Sequence, residues 1–280
     1  MQDPQYVNEY IVDILESLLI DENNFYNKKK YIDPFYLEKE ESELTPEMRT
    51  VATDWLVLIH HKIFKFQENT LFLTIQLFDR YLSKVIVNTE KAELLLLSAF
   101  MLSSKHNEID YVNMQEGLQL IKNKFTKEEI INMEYEILNI INFEVLAPTM
   151  CEYFQVFSNF LNFNKKQINE GLYILNIILV DFHMLEYPNF MLAFAVIKLI
   201  TKKDNIDLLL AITNIIKKNK LIEFYDIIDV DKVKGNNKLN ILCNRIKILY
   251  NTFIDTKYKN IQEKFSEDKY DCVSKSNIIL

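Results

Sequence analysis

The chain has 280 residues, 49% of them hydrophobic and 26% charged, which is enough apolar material for one large domain or two ordinary ones and argues against disorder. Its net charge is −8 and Arg occurs only at Arg49, Arg80 and Arg245, so the basic footprint of a duplex-nucleic-acid binder is missing. Apolar runs such as Tyr173–Val180 break at Asp181, short of the ~18 residues a membrane span needs, and the N-terminus MQDPQYVNEY is too polar for a secretory signal.

Helix-start signals are frequent and strand signals scarce. Thr45-Pro46-Glu47 offers an N-cap, a proline at the first helical position and an acid in the first turn. Asn113-x-x-Glu116, Thr126-x-x-Glu129, Thr149-x-x-Glu152 and Asn164-x-x-Gln167 each read as capping boxes ahead of apolar residues at three- and four-residue spacing. In chain order, the pattern predicts helices over Pro4–Ile20, Pro46–Lys65, Thr70–Leu82, Glu90–Lys105, Met114–Ile121 and Lys127–Ile140. A connection at Asn142–Pro148 then leads to helices over Met150–Leu161, Lys165–Asp181, Asn189–Lys202, Ile206–Lys218 and Lys238–Lys257. The expected class is all-α, with two similar five-helix halves. The Glu90–Lys105 segment is apolar nearly all round, so it should be the centre of the first half.

The expected divisions are residues 1–44 for an N-terminal helix and loop, 45–147 and 148–257 for the two halves, and 258–280 for a polar tail, extended or partly ordered. The Lys28–Lys30 run reads as a solvated loop, with weak nuclear import as the alternative. Cys151, Cys243 and Cys272 are far apart without CxxC spacing, which points to free thiols in a reducing compartment. His60 and His61 are adjacent while His106 and His183 are isolated, a poor arrangement for a metal. No Gly-rich phosphate loop occurs and no nucleophile–base cluster is evident, so no cofactor and no catalytic residue are expected.

Specific residues carry a family resemblance. Met48-Arg49, Asp54-Trp55-Leu56-Val57, Thr70-Leu71-Phe72-Leu73, Asp79-Arg80-Tyr81-Leu82-Ser83, Ser104-Lys105 and Glu108-Ile109 together resemble the first cyclin box of the mitotic (A/B-type) cyclins. Met133-Glu134, Ile140–Phe143 and Ala147-Pro148-Thr149 resemble the end of that box and its linker. Lys259–Phe265 with Lys269-Tyr270 looks like the C-terminal tail of the same cyclins. Similarity is strongest over Met48–Thr149 and diluted over Cys151–Tyr258, and Arg49, Asp79, Leu94, Lys105 and Glu134 all match positions typical of the family.

The resemblance implies two tandem cyclin boxes, the second diverged, and a regulatory subunit that binds and activates a cyclin-dependent Ser/Thr protein kinase. It is not expected to be an enzyme itself. Arg49 and Asp79, on different helices and flanked by core residues, suit a guanidinium-to-carboxylate bridge between those helices. Lys105 and Glu134, at the ends of two non-consecutive helices, match the pair that grips backbone groups of the kinase helix bearing the catalytic glutamate. An ammonium there donates to carbonyls at one helix end, and a carboxylate accepts from N–H groups at the other. The surrounding contact surface would comprise Leu102, His106, Glu108, Phe143 and Val145, with Tyr6 and Tyr10 from the N-terminal helix.

Met48, Val51, Ala52 and Trp55 form one helical stripe, which by pattern alone reads as core. The resemblance instead implies a shallow groove for substrate or inhibitor peptides. The family pattern is altered there: Ala52 replaces a larger aliphatic, Leu58 stands where an acid usually pairs with the peptide's base, and Glu93 takes the place of a Gln. No Arg-x-x-Leu destruction motif occurs. The resemblance implies residence in nucleus and cytoplasm, and partners that are proteins rather than nucleic acid or membrane. The competing readings are a TFIIB-like cyclin-fold transcription factor, which would call for a basic face, and a non-catalytic helical adaptor.

Overall fold

A computed structural model describes residues 4–27, 32–33, 35–39, 42–203, 205–221, 237–253, 258–276 and 278, with side chains from Tyr10 onward except at 26–27 and 237. The described residues are helical, without a strand, in the order α1 (Pro4–Asn27), α2 (Pro46–Leu58), α3 (Glu68–Leu82), α4 (Thr89–Asn107), α5 (Met114–Leu120), α6 (Lys127–Ile140), α7 (Met150–Phe160), α8 (Lys165–Val180), α9 (Asn189–Thr201), α10 (Ile206–Asn219), α11 (Asn237–Phe253) and α12 (Asn260–Lys264). Lys28–Lys30 and residues 222–236 lie outside the described residues.

The start signals act as the sequence pattern predicts. The Thr45 hydroxyl accepts from the Met48 amide at 3.2 Å, and the boxes at Asn113, Thr126 and Thr149 are closed in both directions. The Asn164 box also closes, with Gln167 N donating to Asn164 Oδ1 at 3.0 Å and Asn164 N to Gln167 Oε1 at 3.1 Å. Each box satisfies two amides that a helix start otherwise leaves without an acceptor. Two features differ from the pattern. α1 runs about two further turns past Ile20, and α2 does not continue as α-helix to Lys65 but passes at Ile59 into a π-helical stretch ending at Phe64. Lys65 follows in the left-handed conformation, which stops the helix.

Contacts divide the chain into two units, with a division between Ala147 and Pro148. One comprises residues 30–147 with 179–186; the other comprises residues 1–29, 148–178 and 187–280. The expected 1–44 segment is therefore split, its helix going with the second unit and its loop with the first.

In the first unit α4 packs against α3 and α6, and its residues Leu94–Met101 are all buried, so an apolar sequence all round has become a helix surrounded by others. One polar cluster lies in this core. Arg49 Nε and Nη2 donate to Asp79 Oδ1 and Oδ2, each at 2.7 Å. Arg49 Nη1 donates to the Leu179 and Val180 carbonyls at 3.0 and 3.3 Å, and the Tyr36 hydroxyl donates to Asp79 Oδ1 at 2.7 Å. Arg49 is 3% exposed and Asp79 1%. Burial alone would lower the Arg49 pKa, but the adjoining carboxylate raises it further, so the guanidinium stays charged. Burial, and next the Asp79 charge, hold the Tyr36 hydroxyl protonated.

In the second unit α7 packs on α9 and α1, and α9 on α11. Gly171 is required there: a Cβ at this position would stand 1.9 Å from the Phe154 ring. The α9 start has no cap from Pro188; Glu22 of α1 supplies it, accepting from the amides of Asn189 at 2.7 Å and Phe190 at 3.4 Å. Burial pushes the Glu22 carboxyl up to about 8, against those two amides. Of the two alternatives for the tail, the described residues take the ordered one, in short helical turns. Ile261, Phe265, Tyr270 and Val273 are buried, with Phe265 packed on Tyr173 at 5.3 Å. Its apolar residues recur every three to five positions, and short helical turns aim them inward.

Removing Asp79 strands a buried guanidinium, which by precedent costs about 3–5 kcal/mol. Asp79→Ala is expected to lower the urea midpoint of unfolding by a corresponding amount, and an unchanged midpoint would show that the bridge is dispensable.

Candidate functional site

Lys105 occupies the last turn of α4, where its charge suits the helix dipole. Glu134 sits in the middle of α6 rather than at its end, which the sequence reading missed. The packing of α4 on α6 nonetheless brings the two together, with Nζ to Oε1 at 2.5 Å and the ammonium more exposed than the carboxylate. Leu102, Lys105 and His106 lie on one face of α4 at spacings of three and four; Leu102 is half-buried and His106 exposed.

After α6 the chain turns through Asn142 and Phe143, both left-handed, at φ 54° and 58°. That conformation is costly for an aromatic residue, and such strain concentrates at functional positions. It leaves the Phe143 ring 61% exposed. Val145, two residues on, is half-buried, and its carbonyl accepts from Arg80 at 3.4 Å. Ile109, Tyr135 and Leu146 are further exposed apolar side chains of this unit, and Ile109 is 97% exposed. Ile109 stood inside a matched motif, yet single apolar residues in loops carry no periodic signal that marks them as surface.

Glu108, expected on the same contact surface, also has a structural task. Its Oε1 accepts from the Gln67 amide at 2.9 Å and from the Thr70 hydroxyl, so it caps the start of α3 across the fold. Tyr10 is exposed on α1 and belongs to the other unit, and the Tyr6 side chain lies outside the described residues.

The α2 stripe is not core. Met48 and Val51 are exposed, and with Ala52 and Trp55 they line a groove of about 940 Å3. Leu37, Leu44, Leu120 and Ile121 are among the other apolar residues that line it. Glu93 is on its rim, paired with Lys124 at 2.5 Å, and that carboxylate raises the Lys124 ammonium above its usual pKa. Leu58 lies outside the groove, half-buried at the last position of α2 before the π-helical stretch. The lysines of the 122–124 turn were missed because only the tertiary fold brings that turn to α2. Among the described residues no group of three His, Cys, Asp or Glu is arranged to hold a metal ion, and no helix is long and apolar enough to cross a membrane.

Residues 13–146, which include Lys105, Glu134 and all of the described groove lining, match the family model described as "Cyclin, N-terminal domain". This stretch is similar to the N-terminal domain of cyclins. The chain is 35% identical over 156 residues to cyclin-A3-2 of Arabidopsis thaliana, covering 56% of this chain and 41% of that protein. It is 33% identical over 167 residues to cyclin-B2-1 of Oryza sativa subsp. japonica, covering 59% and 39%. The chain thus matches about half or less of the length of most of these curated cyclins. In fold it is similar to a viral cyclin from herpesvirus saimiri, with a TM-score of 0.55 at 15% identity over 74% of this chain and 86% of that one. The cyclin-like domain here thus carries an exposed ion pair and a separate apolar groove on the same unit.

Because Glu108 caps α3, Glu108→Ala is expected to cost about 0.5–2 kcal/mol of stability. Thermal unfolding checks this: a variant as stable as the parent would return Glu108 to the set of surface residues available to a partner.

Proposed function

We propose that this chain is the regulatory subunit of a cyclin-dependent Ser/Thr protein kinase, acting in cell-cycle control in the nucleus and cytoplasm, with no chemistry of its own. The observation that carries this reading is the Lys105–Glu134 pair, held on the outside of the cyclin-like domain among exposed or half-exposed apolar side chains. An exposed ion pair adds little to stability, on the order of 0–1 kcal/mol, so folding alone gives weak reason for it. A partner helix gives a better one. The ammonium has two further hydrogens for carbonyls at one end of such a helix, and the carboxylate has lone pairs for amides elsewhere on it.

Leu102 and Phe143 would supply the apolar contact, Phe143 from a backbone already fixed in its strained form, so little ordering cost remains at binding. Kinases of this class switch on when the helix bearing the catalytic glutamate swings in and completes its lysine–glutamate pair. A rigid face that fits only that arrangement shifts the population toward it, by no more than its differential affinity for the two states. Moving the ratio from 1:99 to 99:1 requires about 10⁴-fold preference. That calls for an extensive contact, on the order of 2,000 Å2, rather than the ion pair alone.

Exchanging the two charges, Lys105→Glu with Glu134→Lys, keeps the pair's attraction within the protein while inverting what it offers a partner. The melting temperature is expected to hold, and activation of a co-expressed cyclin-dependent kinase on histone substrate to fall at least tenfold, by about 1.4 kcal/mol or more of lost contact. Undiminished activation by the double variant would overturn the assignment.

The groove beside α2 supports a second role, docking of substrate or inhibitor peptides through apolar side chains, with the rim acid Glu93 already neutralised by Lys124. Trp55→Ala is expected to weaken binding of a fluorescent docking peptide by about 2 kcal/mol, as loss of a buried aromatic anchor does. Equal affinities of variant and parent would remove the groove from the account.

A further inference from the structure

In the unit that contains α9 and α11, a pocket of about 510 Å3 lies between those two helices. Lys198 and Lys202 of the α9 end, Lys203 just beyond it and Lys247 of α11 line it, together with the amides of Asn240 and Asn244. Among the described residues no carboxylate is in the lining. Lys198 Nζ donates to Asn240 Oδ1 at 3.0 Å, which tethers one ammonium to α11. Lys202, Lys203 and Lys247 make no ion pair among the described residues. A chain of net charge −8 has therefore gathered four cations around one concavity.

The α9 dipole explains part of this and no more. A helix C-terminus carries about half a negative charge, felt within its last turn, and one lysine answers it. Lys203 lies past the end and Lys247 comes from a different helix, so neither is placed by that field. Like charges brought to one pocket repel one another, and an anion relieves that repulsion.

We propose that this pocket binds a phosphoryl group carried on a protein segment. Lysines suit the phosphoryl oxygens as point charges, and two side-chain amides offer both donors and acceptors for the backbone that carries the group. Ile241 and Ile248 are exposed on the adjoining face of α11, next to Asn240 and Lys247 in sequence, and give an apolar neighbour of that segment a place to rest. An extended nucleic-acid strand fits less well: among the described residues no aromatic side chain lines the pocket for base stacking, and the acidic chain repels a long polyanion.

The test uses the full chain alone, so its result is independent of whether any kinase is bound or activated. A short peptide with one phosphothreonine flanked by isoleucine is titrated while the side-chain amides of Asn240 and Asn244 are followed by NMR. The unphosphorylated peptide, inorganic phosphate and phosphatidylserine vesicles are run in parallel. Saturable shifts are expected with the phosphopeptide, at least about tenfold tighter than with its unphosphorylated form or with phosphate. The variant Lys203→Glu with Lys247→Glu is expected to lose them at an unchanged melting temperature, and Lys203→Arg with Lys247→Arg to keep them. The proposal is overturned if both peptides bind alike, if phosphate binds as tightly as the phosphopeptide, if only vesicles move the amides, or if charge reversal leaves binding intact.

Discussion

The buried cluster around Arg49 and Asp79 is the constraint on which the cyclin-like domain depends. A guanidinium removed from water must have its hydrogens accepted, and here a carboxylate from α3 and two backbone carbonyls at 179–180 take them. Tyr36 adds a third element by donating to the same carboxylate. Three separate stretches of chain, the loop before α2, the 179–180 segment and α3, are thus referred to one side chain of α2. Apolar packing tolerates small slides, whereas a forked, charge-assisted set of bonds tolerates few. The orientation of α2, and with it the groove along its outer face, follows from that geometry.

The exposed ion pair works the other way round. Lys105 and Glu134 are held by helices whose inner faces are fully packed, so α4 and α6 determine where the charges stand while the charges do little for α4 and α6. Separation of the element that holds from the group that is presented recurs at Phe143. Its backbone adopts a conformation that disfavours a bulky residue, and its ring faces outward. Glu108 marks the limit of this separation. It lies in the same stretch as Lys105 and His106, yet its carboxylate is committed to the start of α3. Neighbours in sequence have divided between structural and presented roles.

A comparable division runs through the second unit. Glu22 supplies from α1 the cap that Pro188 cannot, which ties the N-terminal helix to the start of α9 by bonds to backbone amides. Gly171 allows α8 to close onto the Phe154 ring, and the C-terminal segment inserts Phe265 against Tyr173. The N-terminal helix and the C-terminal segment are thereby both engaged with this unit's core. The lysine pocket between α9 and α11 is unlike its surroundings because it gathers charge of one sign, and Lys202, Lys203 and Lys247 make no ion pair among the described residues.

Local signals in the sequence determined the helices, their starts and the burial of α4, because capping boxes and apolar periodicity act over three to seven residues. They also determined that Arg49 and Asp79 need partners, since charges flanked by core residues have no other solution. Only the tertiary structure decided which partners: the 179–180 carbonyls lie about 130 residues from Arg49. It alone decided that Met48 and Val51 face a groove rather than a core, a distinction invisible to a stripe of apolar residues because both surfaces demand the same spacing. The commitment of Glu108, the folding of the tail and the gathering of Lys198 with Lys247 were hidden for the same reason. Each depends on contacts between residues far apart in the chain, and the energy of such contacts leaves no periodic trace in the sequence around them.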